Sequence, residues 1–230
     1  MSCYIEYPDN PTAVIKLPTN FAAIGPCLSG KTSLFHRIFL NHEKIFSKPV
    51  EKILYSYNVW VPEYSILESK LGSLIEFIPH IPTREELIEL HKNIPGEKIL
   101  CLDDIMNSLY DNSTGKKILE IITVLSHNLH CSVFFSIQNL FHSSKVARAI
   151  SLNIQYFCLF RNNRSADQIR HFARQITPQG VQFVFESYLI ATQKRYSYIL
   201  IDLSPSCDPK FQLKSNFLSQ EPLTIFLPKK

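Results

Sequence analysis

One eight-residue stretch, at positions 25–32, constrains this chain more than any other. It reads G-P-C-L-S-G-K-T, which has the G-x-x-x-x-G-K-T spacing of a phosphate-binding loop. An apolar run at 21–24 precedes it and a helical pattern at 31–40 follows it, so the loop joins a strand to a helix. Glycines let the backbone N–H groups turn towards phosphate oxygens, and the helix N-terminus adds the positive end of its dipole. The sequence therefore predicts a nucleotide-phosphate site here.

Two side chains of this loop have distinct chemical tasks. Lys31 can reach the β- and γ-phosphates of a nucleotide, and the Thr32 hydroxyl can coordinate Mg²⁺. The predicted nucleotide-binding residues are Gly25, Pro26, Cys27, Leu28, Ser29, Gly30, Lys31, Thr32 and Ser33.

Length and composition limit the remaining choices. A chain of 230 residues suits one α/β domain, and we expect its core at about 15–205 with a polar, proline-punctuated tail at 206–230. The formal net charge of +4 permits a nucleic-acid partner without requiring one. The six cysteines include no C-x-x-C pair, which favours a reducing compartment. No apolar run reaches transmembrane length and no signal segment is recognisable, so we expect an intracellular, non-secreted protein.

Strand and helix patterns alternate along the chain. Strands are predicted at 21–24, 52–57, 74–78, 98–102, 131–137, 154–160 and 198–203. Helices are predicted at 31–40, from Thr83 to about Lys92, along the apolar positions between 118 and 125 and between 169 and 176, and at 181–189. Because several strands are apolar throughout, the pattern predicts an α/β fold with a mostly parallel sheet covered by helices on both faces.

Residues 58–73 read as an irregular, aromatic segment. Tyr57, Trp60 and Tyr64 alternate there with aliphatic residues and proline. The interpretation that we favour is a loop that packs its rings on the body of the protein. The alternative is a stacking surface for a partner or a nucleic acid.

Two carboxylates end the predicted strand at 98–102. Ligands of parallel α/β sheets bind at the carboxyl ends of the strands, so Asp103 and Asp104 should lie near the phosphate loop. Asp103 is placed to hold Mg²⁺ through water, facing Thr32. Asp104 could orient the attacking water, or it could instead cap a following helix.

Polar residues also follow the next two strands. Gln138 ends the strand at 131–137, where an amide can contact both a γ-phosphate and a water molecule. Arg161 and Arg164 follow the strand at 154–160, and either could neutralise transition-state charge in a neighbouring subunit's site. Arg170 and Arg174 lie four residues apart on a helix with Asp167, which favours a solvated, ion-paired face.

These segments together resemble one family of proteins. Six segments occur in the order found in the genome-packaging ATPases of the FtsK–HerA superfamily. They are the phosphate loop, the L-D-D strand end, F-S-I-Q-N-L-F at 135–141, N-I-Q-Y-F at 153–157, N-N-R-S at 162–165 and A-R-Q-I at 173–176. The likeness is strongest to those of Polinton/Maverick elements, virophages and adintovirus-like viruses, and weaker to the poxvirus packaging ATPase. It covers roughly residues 15–205.

The resemblance implies a function and a set of residue roles. Lys31 and Thr32 would bind ATP and Mg²⁺, Asp103 would be the Walker B aspartate, and Asp104 would be catalytic. Gln138 would be the polar sensor, on a strand between the phosphate-loop strand and the Walker B strand of an ASCE-type P-loop NTPase. Arg164 matches the family arginine, although Asn163 and Ser165 replace the usual proline and aspartate beside it.

The same resemblance implies ATP-driven translocation of double-stranded DNA by a homo-oligomeric ring. A capsid or portal-type partner and association with the virion would accompany that activity. Two other readings of the residues remain open: a P-loop kinase for a small substrate, and a binding module that responds to nucleotide without hydrolysing it. The arginines between 161 and 174 could imitate a kinase lid, whereas the paired aspartates favour hydrolysis.

Overall fold

A ten-stranded mixed sheet organises the part of the chain that the structure describes. The computed structural model describes residues 3–7, 14–104, 111–139, 145–164, 166–177, 179–218 and 221–228. The strands of this part are β1 (Cys3–Tyr7), β2 (Asn20–Ile24), β3 (Val50–Ser56), β4 (Ile75–Ile78), β5 (Glu97–Leu102), β6 (Cys131–Ile137), β7 (Tyr156–Phe160), β8 (Tyr198–Asp202), β9 (Leu213–Ser215) and β10 (Leu223–Leu227). Its α-helices are α1 (Lys31–Leu40), α2 (His42–Ile45), α3 (Pro62–Leu71), α4 (Arg84–Asn93), α5 (Asn112–Glu120), α6 (Ser126–Asn128), α7 (Lys145–Ser151), α8 (Ala166–Ile176) and α9 (Val181–Ala191). A π-helical stretch, Ile121–Leu125, joins α5 to α6.

The strand order explains how distant segments meet. The sheet runs β1-β10-β9-β8-β7-β2-β6-β5-β3-β4. Every pairing from β7 to β4 is parallel, and every pairing from β7 to β1 is antiparallel. The predicted mostly parallel sheet is therefore present, and β6 lies between β2 and β5 as the family resemblance implies. The carboxyl ends of β2, β6, β5 and β7 consequently meet at one edge.

Helices cover both faces of this sheet, as the sequence predicts. On one face, α1 buries Leu34, Phe35, Ile38 and Phe39 against the strands, with α2 and α3 beside it. On the other face, the π-helical stretch, α8 and α9 pack on the alternate residues of the same strands. Successive residues of a strand point to opposite faces, so a fully apolar strand such as β6 supplies both cores.

The helix predicted from Thr83 to about Lys92 is confirmed as α4, and a capping box explains where it starts. Thr83 accepts a hydrogen bond from the Glu86 N–H at 3.2 Å, and the Glu86 carboxylate accepts one from the Thr83 N–H at 2.7 Å. This capping box begins α4. Ser165 and Gln168 have the same capping-box spacing in the sequence, but Ser165 lies outside the described residues.

The prediction of an irregular segment at 58–73 is wrong, because most of it forms α3. Pro62 occupies the first turn, where the missing proline N–H has no helical partner to lose. Only Tyr64 and Leu67 are buried on this helix, so its apolar stripe is too short to give a clear periodic pattern in the sequence.

The prediction of a polar tail at 206–230 is also wrong for the residues of this segment that the structure describes. β9 and β10 extend the sheet, and β1, which precedes the core that we expected at about 15–205, pairs with β10. Phe217 and Phe226 are each only 1% exposed. These strands are short and separated by prolines, and β10 pairs with the opposite end of the chain, so local pattern could not reveal them. Among the described helices, none has the length and apolar character that crossing a bilayer requires.

Replacing Phe217 by alanine should destabilise the whole fold. Its ring is buried 5.5 Å from that of Tyr198, so we expect a loss of about 3–5 kcal/mol in the free energy of unfolding. Phe211→Ala is the matched control, since Phe211 is 38% exposed in the same segment and should cost less than about 1 kcal/mol. Urea unfolding of both variants tests this, and equally small losses would show that the C-terminal strands do not belong to the cooperative core.

Candidate nucleotide site

The loop at 25–32 has the geometry of an anion cradle. It connects β2 to α1, and its backbone enters the left-handed region at Leu28 (φ 61°) and Gly30 (φ 102°). In the described part of the chain, the N–H groups of Cys27, Leu28 and Gly30 donate to no protein acceptor. The first N–H groups of α1 also lack intrahelical partners. Unpaired N–H groups beside a helix N-terminus form a site that attracts a phosphate.

Gly25 is needed because two groups crowd it. A Cβ atom at this position would lie 2.7 Å from the Phe160 Cβ and 2.9 Å from the Ser29 Oγ. The Ser29 Oγ is itself buried without a hydrogen-bond partner among the described residues. An orphaned buried hydroxyl within a curled glycine loop fits a site that takes polar oxygens from a ligand.

Lys31 lies over the loop rather than pointing into solvent. Its ammonium group donates to the carbonyl oxygens of Gly25 at 2.8 Å and Pro26 at 2.9 Å. Burial lowers the pKa of Lys31 below its ordinary value, while the negative charges of Asp104 and Asp103 oppose that decrease. This cation is thus already desolvated at the cradle, where a phosphate would be its natural counter-ion.

Asp103 is held by three hydroxyl groups from three separate elements. Its Oδ2 accepts hydrogen bonds from the Thr32 Oγ1 at 2.7 Å and the Tyr55 hydroxyl at 2.8 Å. Its Oδ1 accepts one from the Ser136 Oγ at 2.7 Å. These donors offset the cost of burying the carboxylate, which is 8% exposed. The Thr32–Asp103 pair offers the oxygen ligands that Mg²⁺ prefers, so the residues present fit a bound magnesium–nucleotide.

Burial also sets the state of the Tyr55 phenol. It raises the pKa of Tyr55 well above its ordinary value, with the nearby negative charge of Asp103 acting in the same direction. The phenol therefore stays protonated and serves as a donor to Asp103.

Asp104 lies beside Asp103 but in a different environment. Its side chain is exposed and its backbone is left-handed, with φ 51°. The Asp104 N–H donates to the Ser136 Oγ at 2.8 Å, so one serine fixes both aspartates. The cap that we considered as an alternative for Asp104 concerns the segment 105–110, which lies outside the described residues.

Gln138 and the arginines lie at the same edge of the sheet. Gln138 directly follows Ile137, whose carbonyl accepts a hydrogen bond from the Gly25 N–H at 3.2 Å. The Gln138 side chain is half-buried and bonds to no described residue. Arg164 is exposed, and the Asn162 Oδ1 accepts from its backbone N–H at 3.0 Å. Among the described residues, the side chains that hydrogen-bond to Asp103 are those of Thr32, Tyr55 and Ser136, and not those of Gln138 or Arg164.

Arg161 and Arg170 have structural partners. Arg161 donates to the Asn163 Oδ1 at 3.1 Å. Arg170 pairs with Asp167 at 3.5 Å, as predicted, and its guanidinium also lies 3.9 Å from the centre of the Phe185 ring.

Three side chains at this edge were missed by reading the sequence: Tyr55, Ser136 and Tyr196. Tyr55 and Ser136 are polar positions within apolar strands, which is a signal that could have singled them out. Tyr196 borders a cleft of about 230 Å³ beside the start of α1, and its other lining residues are Gly30, Ser33, Leu34, Arg37, Phe160 and Tyr198. The Arg195 guanidinium lies 4.6 Å from the centre of the Tyr196 ring.

Replacing Asp103 by asparagine should destabilise the protein even without any ligand. An amide has one acceptor oxygen, so at least one of the three hydroxyl donors would face an N–H group, at a cost of about 1–3 kcal/mol in the free energy of unfolding. The matched control is Asp104→Asn, because asparagine accepts a left-handed backbone and the side chain is exposed, and we expect a change within about 0.5 kcal/mol. Urea unfolding compares the two, and equal stabilities would contradict the hydroxyl network.

Comparisons with known proteins give the fold of this chain. No protein-family model and no curated protein matches the sequence. Among solved structures, the DNA-packaging ATPase B204 from Sulfolobus Turreted Icosahedral Virus matches with a TM-score of 0.54 and 15% identity, covering 86% of this chain and 96% of that one. The genome packaging NTPase B204 from Sulfolobus turreted icosahedral virus 2, solved with AMP, matches with a TM-score of 0.52 and 14% identity, covering 91% and 97%. This chain therefore has the α/β fold that these solved structures share.

Proposed function

We propose that this chain is an ATPase of the genome-packaging type, which hydrolyses ATP to move double-stranded DNA into a capsid. The observation that carries the proposal is the 2.7 Å contact between the Thr32 Oγ1 and the Asp103 Oδ2. It joins the phosphate loop to a carboxylate 71 residues away, which is the pairing that a magnesium–nucleotide requires. The shared fold with packaging ATPases supports the same proposal.

The residues of the loop edge would divide the chemistry of hydrolysis among them. Lys31 would leave its carbonyl partners for the β- and γ-phosphates, and Thr32 and Asp103 would hold Mg²⁺, which neutralises phosphate charge when it is bound. Asp104, exposed and unpaired among the described side chains, would orient the attacking water with Gln138. Release of the γ-phosphate would change the contacts of Gln138.

The cleft beside α1 would receive the nucleoside. It begins at Gly30 and Ser33, next to the phosphate cradle, and Tyr196 offers an aromatic face to a base. One of the solved structures with a similar fold is B204 from Sulfolobus turreted icosahedral virus 2 in complex with ATP-gammaS, which matches this chain with a TM-score of 0.50. ATP is accordingly the nucleotide that we propose.

Arg164 would act on a neighbouring subunit's site, in a homo-oligomeric ring. Its exposed guanidinium has no partner among the described residues of its own chain, whereas Arg161 and Arg170 are engaged in structural contacts. The contacts of Arg161 and Arg170 argue against a kinase lid built from these two side chains. The ring would work inside a host cell, with a capsid or portal-type partner, and could remain with the virion.

DNA-stimulated phosphate release is the direct test of the proposed function. We expect the purified protein to hydrolyse ATP faster with linear double-stranded DNA, and the stimulation to weaken as salt increases because DNA would be held through its phosphates. Lys31→Ala and Asp104→Asn should each lower the rate at least about a hundredfold, the scale of losing a charge-stabilising or acid–base group.

Three results would contradict this proposal in different ways. Phosphate transfer to a small acceptor instead of water would identify a kinase. Nucleotide binding without turnover, with and without DNA, would identify a binding module. Full activity of Asp104→Asn would remove Asp104 from the catalytic group.

Mixing two inactive variants tests whether Arg164 acts between subunits. Lys31→Ala and Arg164→Ala should each be inactive alone, but a mixed ring would contain some sites with an intact Lys31 and a neighbour's intact Arg164. Random pairing in a head-to-tail ring leaves at most about a quarter of the sites complete, so we expect partial recovery of ATP hydrolysis. Arg174→Ala, an exposed arginine on α8, is the control and should stay active. Absence of recovery would show that Arg164 does not act in trans.

A further inference from the structure

Five aromatic rings form a continuous cluster between the Asp103 carboxylate and the protein surface. This aromatic cluster lies between β3, α3 and β4 and comprises Tyr55, Tyr57, Trp60, Tyr64 and Phe77. The ring centres of Tyr55 and Tyr64 are 5.1 Å apart, and those of Tyr64 and Trp60 are 5.6 Å apart. Phe77 provides a second route, at 5.1 Å from Tyr55 and 5.3 Å from Trp60.

The two ends of the cluster differ in their surroundings. Tyr55 has no exposed surface, and its hydroxyl donates to the Asp103 Oδ2 at 2.8 Å. Trp60 is 43% exposed, beside Val59, which is 73% exposed. Close-packed rings in contact transmit small displacements, because an interior at this density has little free volume in which to absorb them.

We propose that Tyr55 is a positioning residue, which holds the Asp103 carboxylate in place for the metal ion and passes the state of that carboxylate to Trp60 through the aromatic cluster. This inference rests on the proposed function, because it concerns the magnesium–nucleotide that the site would bind.

The bonding pattern shows why the hydroxyl is needed in addition to the ring. Thr32 and Tyr55 both donate to the Asp103 Oδ2, but Thr32 would itself turn towards the metal ion. Tyr55 would then remain as the fixed donor to Oδ2, while Ser136 keeps its bond to Oδ1. Phenylalanine would fill the same space in the core, so packing alone does not explain the phenol.

Magnesium dependence separates a positioning role from a purely structural one. Tyr55→Phe should raise the Mg²⁺ concentration that gives half-maximal ATP hydrolysis about tenfold, the scale of a hydrogen bond to a charged group. Its rate at saturating Mg²⁺ should stay within about twofold of the wild-type rate, since Tyr55 does not reach the reacting atoms.

Tyr156→Phe is the matched control for that titration. Tyr156 is equally buried, and its hydroxyl accepts a hydrogen bond from the Lys16 N–H at 3.1 Å and makes none to Asp103 or Asp104. We expect it to leave the magnesium dependence unchanged. An unchanged magnesium dependence in Tyr55→Phe, or an equal shift in both variants, would overturn the positioning role.

The fluorescence of Trp60 provides a readout that needs no turnover. Trp60 is the only tryptophan of the chain, so its emission reports the outer end of the aromatic cluster. We expect addition of Mg²⁺ to the wild-type protein with a non-hydrolysable ATP analogue to change this emission, and the midpoint to move about tenfold higher in Tyr55→Phe. A wild-type protein that binds the analogue without any magnesium-dependent change would overturn the coupling, whether or not the variant folds.

Two outcomes separate the proposed function from the role of Tyr55. If the wild-type protein neither binds nor hydrolyses ATP, the proposed function is contradicted, and so is the role of Tyr55 that rests on it. If the wild-type protein hydrolyses ATP and Tyr55→Phe shows the same magnesium dependence, only the proposed role of Tyr55 is contradicted.

Discussion

The structure at the candidate site depends on one buried carboxylate and the hydroxyl groups that surround it. Asp103 receives hydrogen bonds from side chains of α1, β3 and β6. Its position therefore depends on how all three elements are placed relative to one another. An unpaired carboxylate at this depth would be costly, whereas a fully bonded one is stable and oriented. The same arrangement brings Thr32 within reach of any ion that Asp103 holds.

Strand geometry is what makes that arrangement possible. Side chains alternate across a strand, and β3, β5 and β6 are parallel and adjacent. Tyr55, Asp103 and Ser136 therefore all point to the face that carries α1. The phosphate loop enters the same space because β2 borders β6, and the Gly25 N–H is bonded to the last residue of β6.

The antiparallel half of the sheet supports this edge from the other side. β8 pairs with β7, and the turn before β8 brings Tyr196 against Gly30. Phe160, the last residue of β7, packs on Gly25, which couples the glycine loop to the strand that precedes Arg164. The C-terminal strands are thus structural neighbours of the candidate nucleoside cleft, and not an appendage of the core.

The local features of this protein could be predicted from its sequence because their causes are local. The glycine loop, the capping box at Thr83 and the apolar strands each depend on residues within a few positions of one another. The α3 helix was missed because its apolar stripe is short, and β9 and β10 were missed because their pairing partners are remote in the chain. Tyr55, Ser136 and Tyr196 were missed because the residues that they contact at this site are also remote in the chain.

From the linear sequence we could predict a loop with phosphate-binding spacing after a buried strand, and carboxylates, an amide and arginines after the later strands. Spacing and polarity along the chain are sufficient for those conclusions. Which of these groups meet is seen only in the folded chain. In the fold, β6 lies between β2 and β5, the Thr32 hydroxyl contacts Asp103, and Tyr55 and Ser136 donate hydrogen bonds to the same carboxylate. Strand order arises from packing between distant segments, and a linear pattern does not encode it directly.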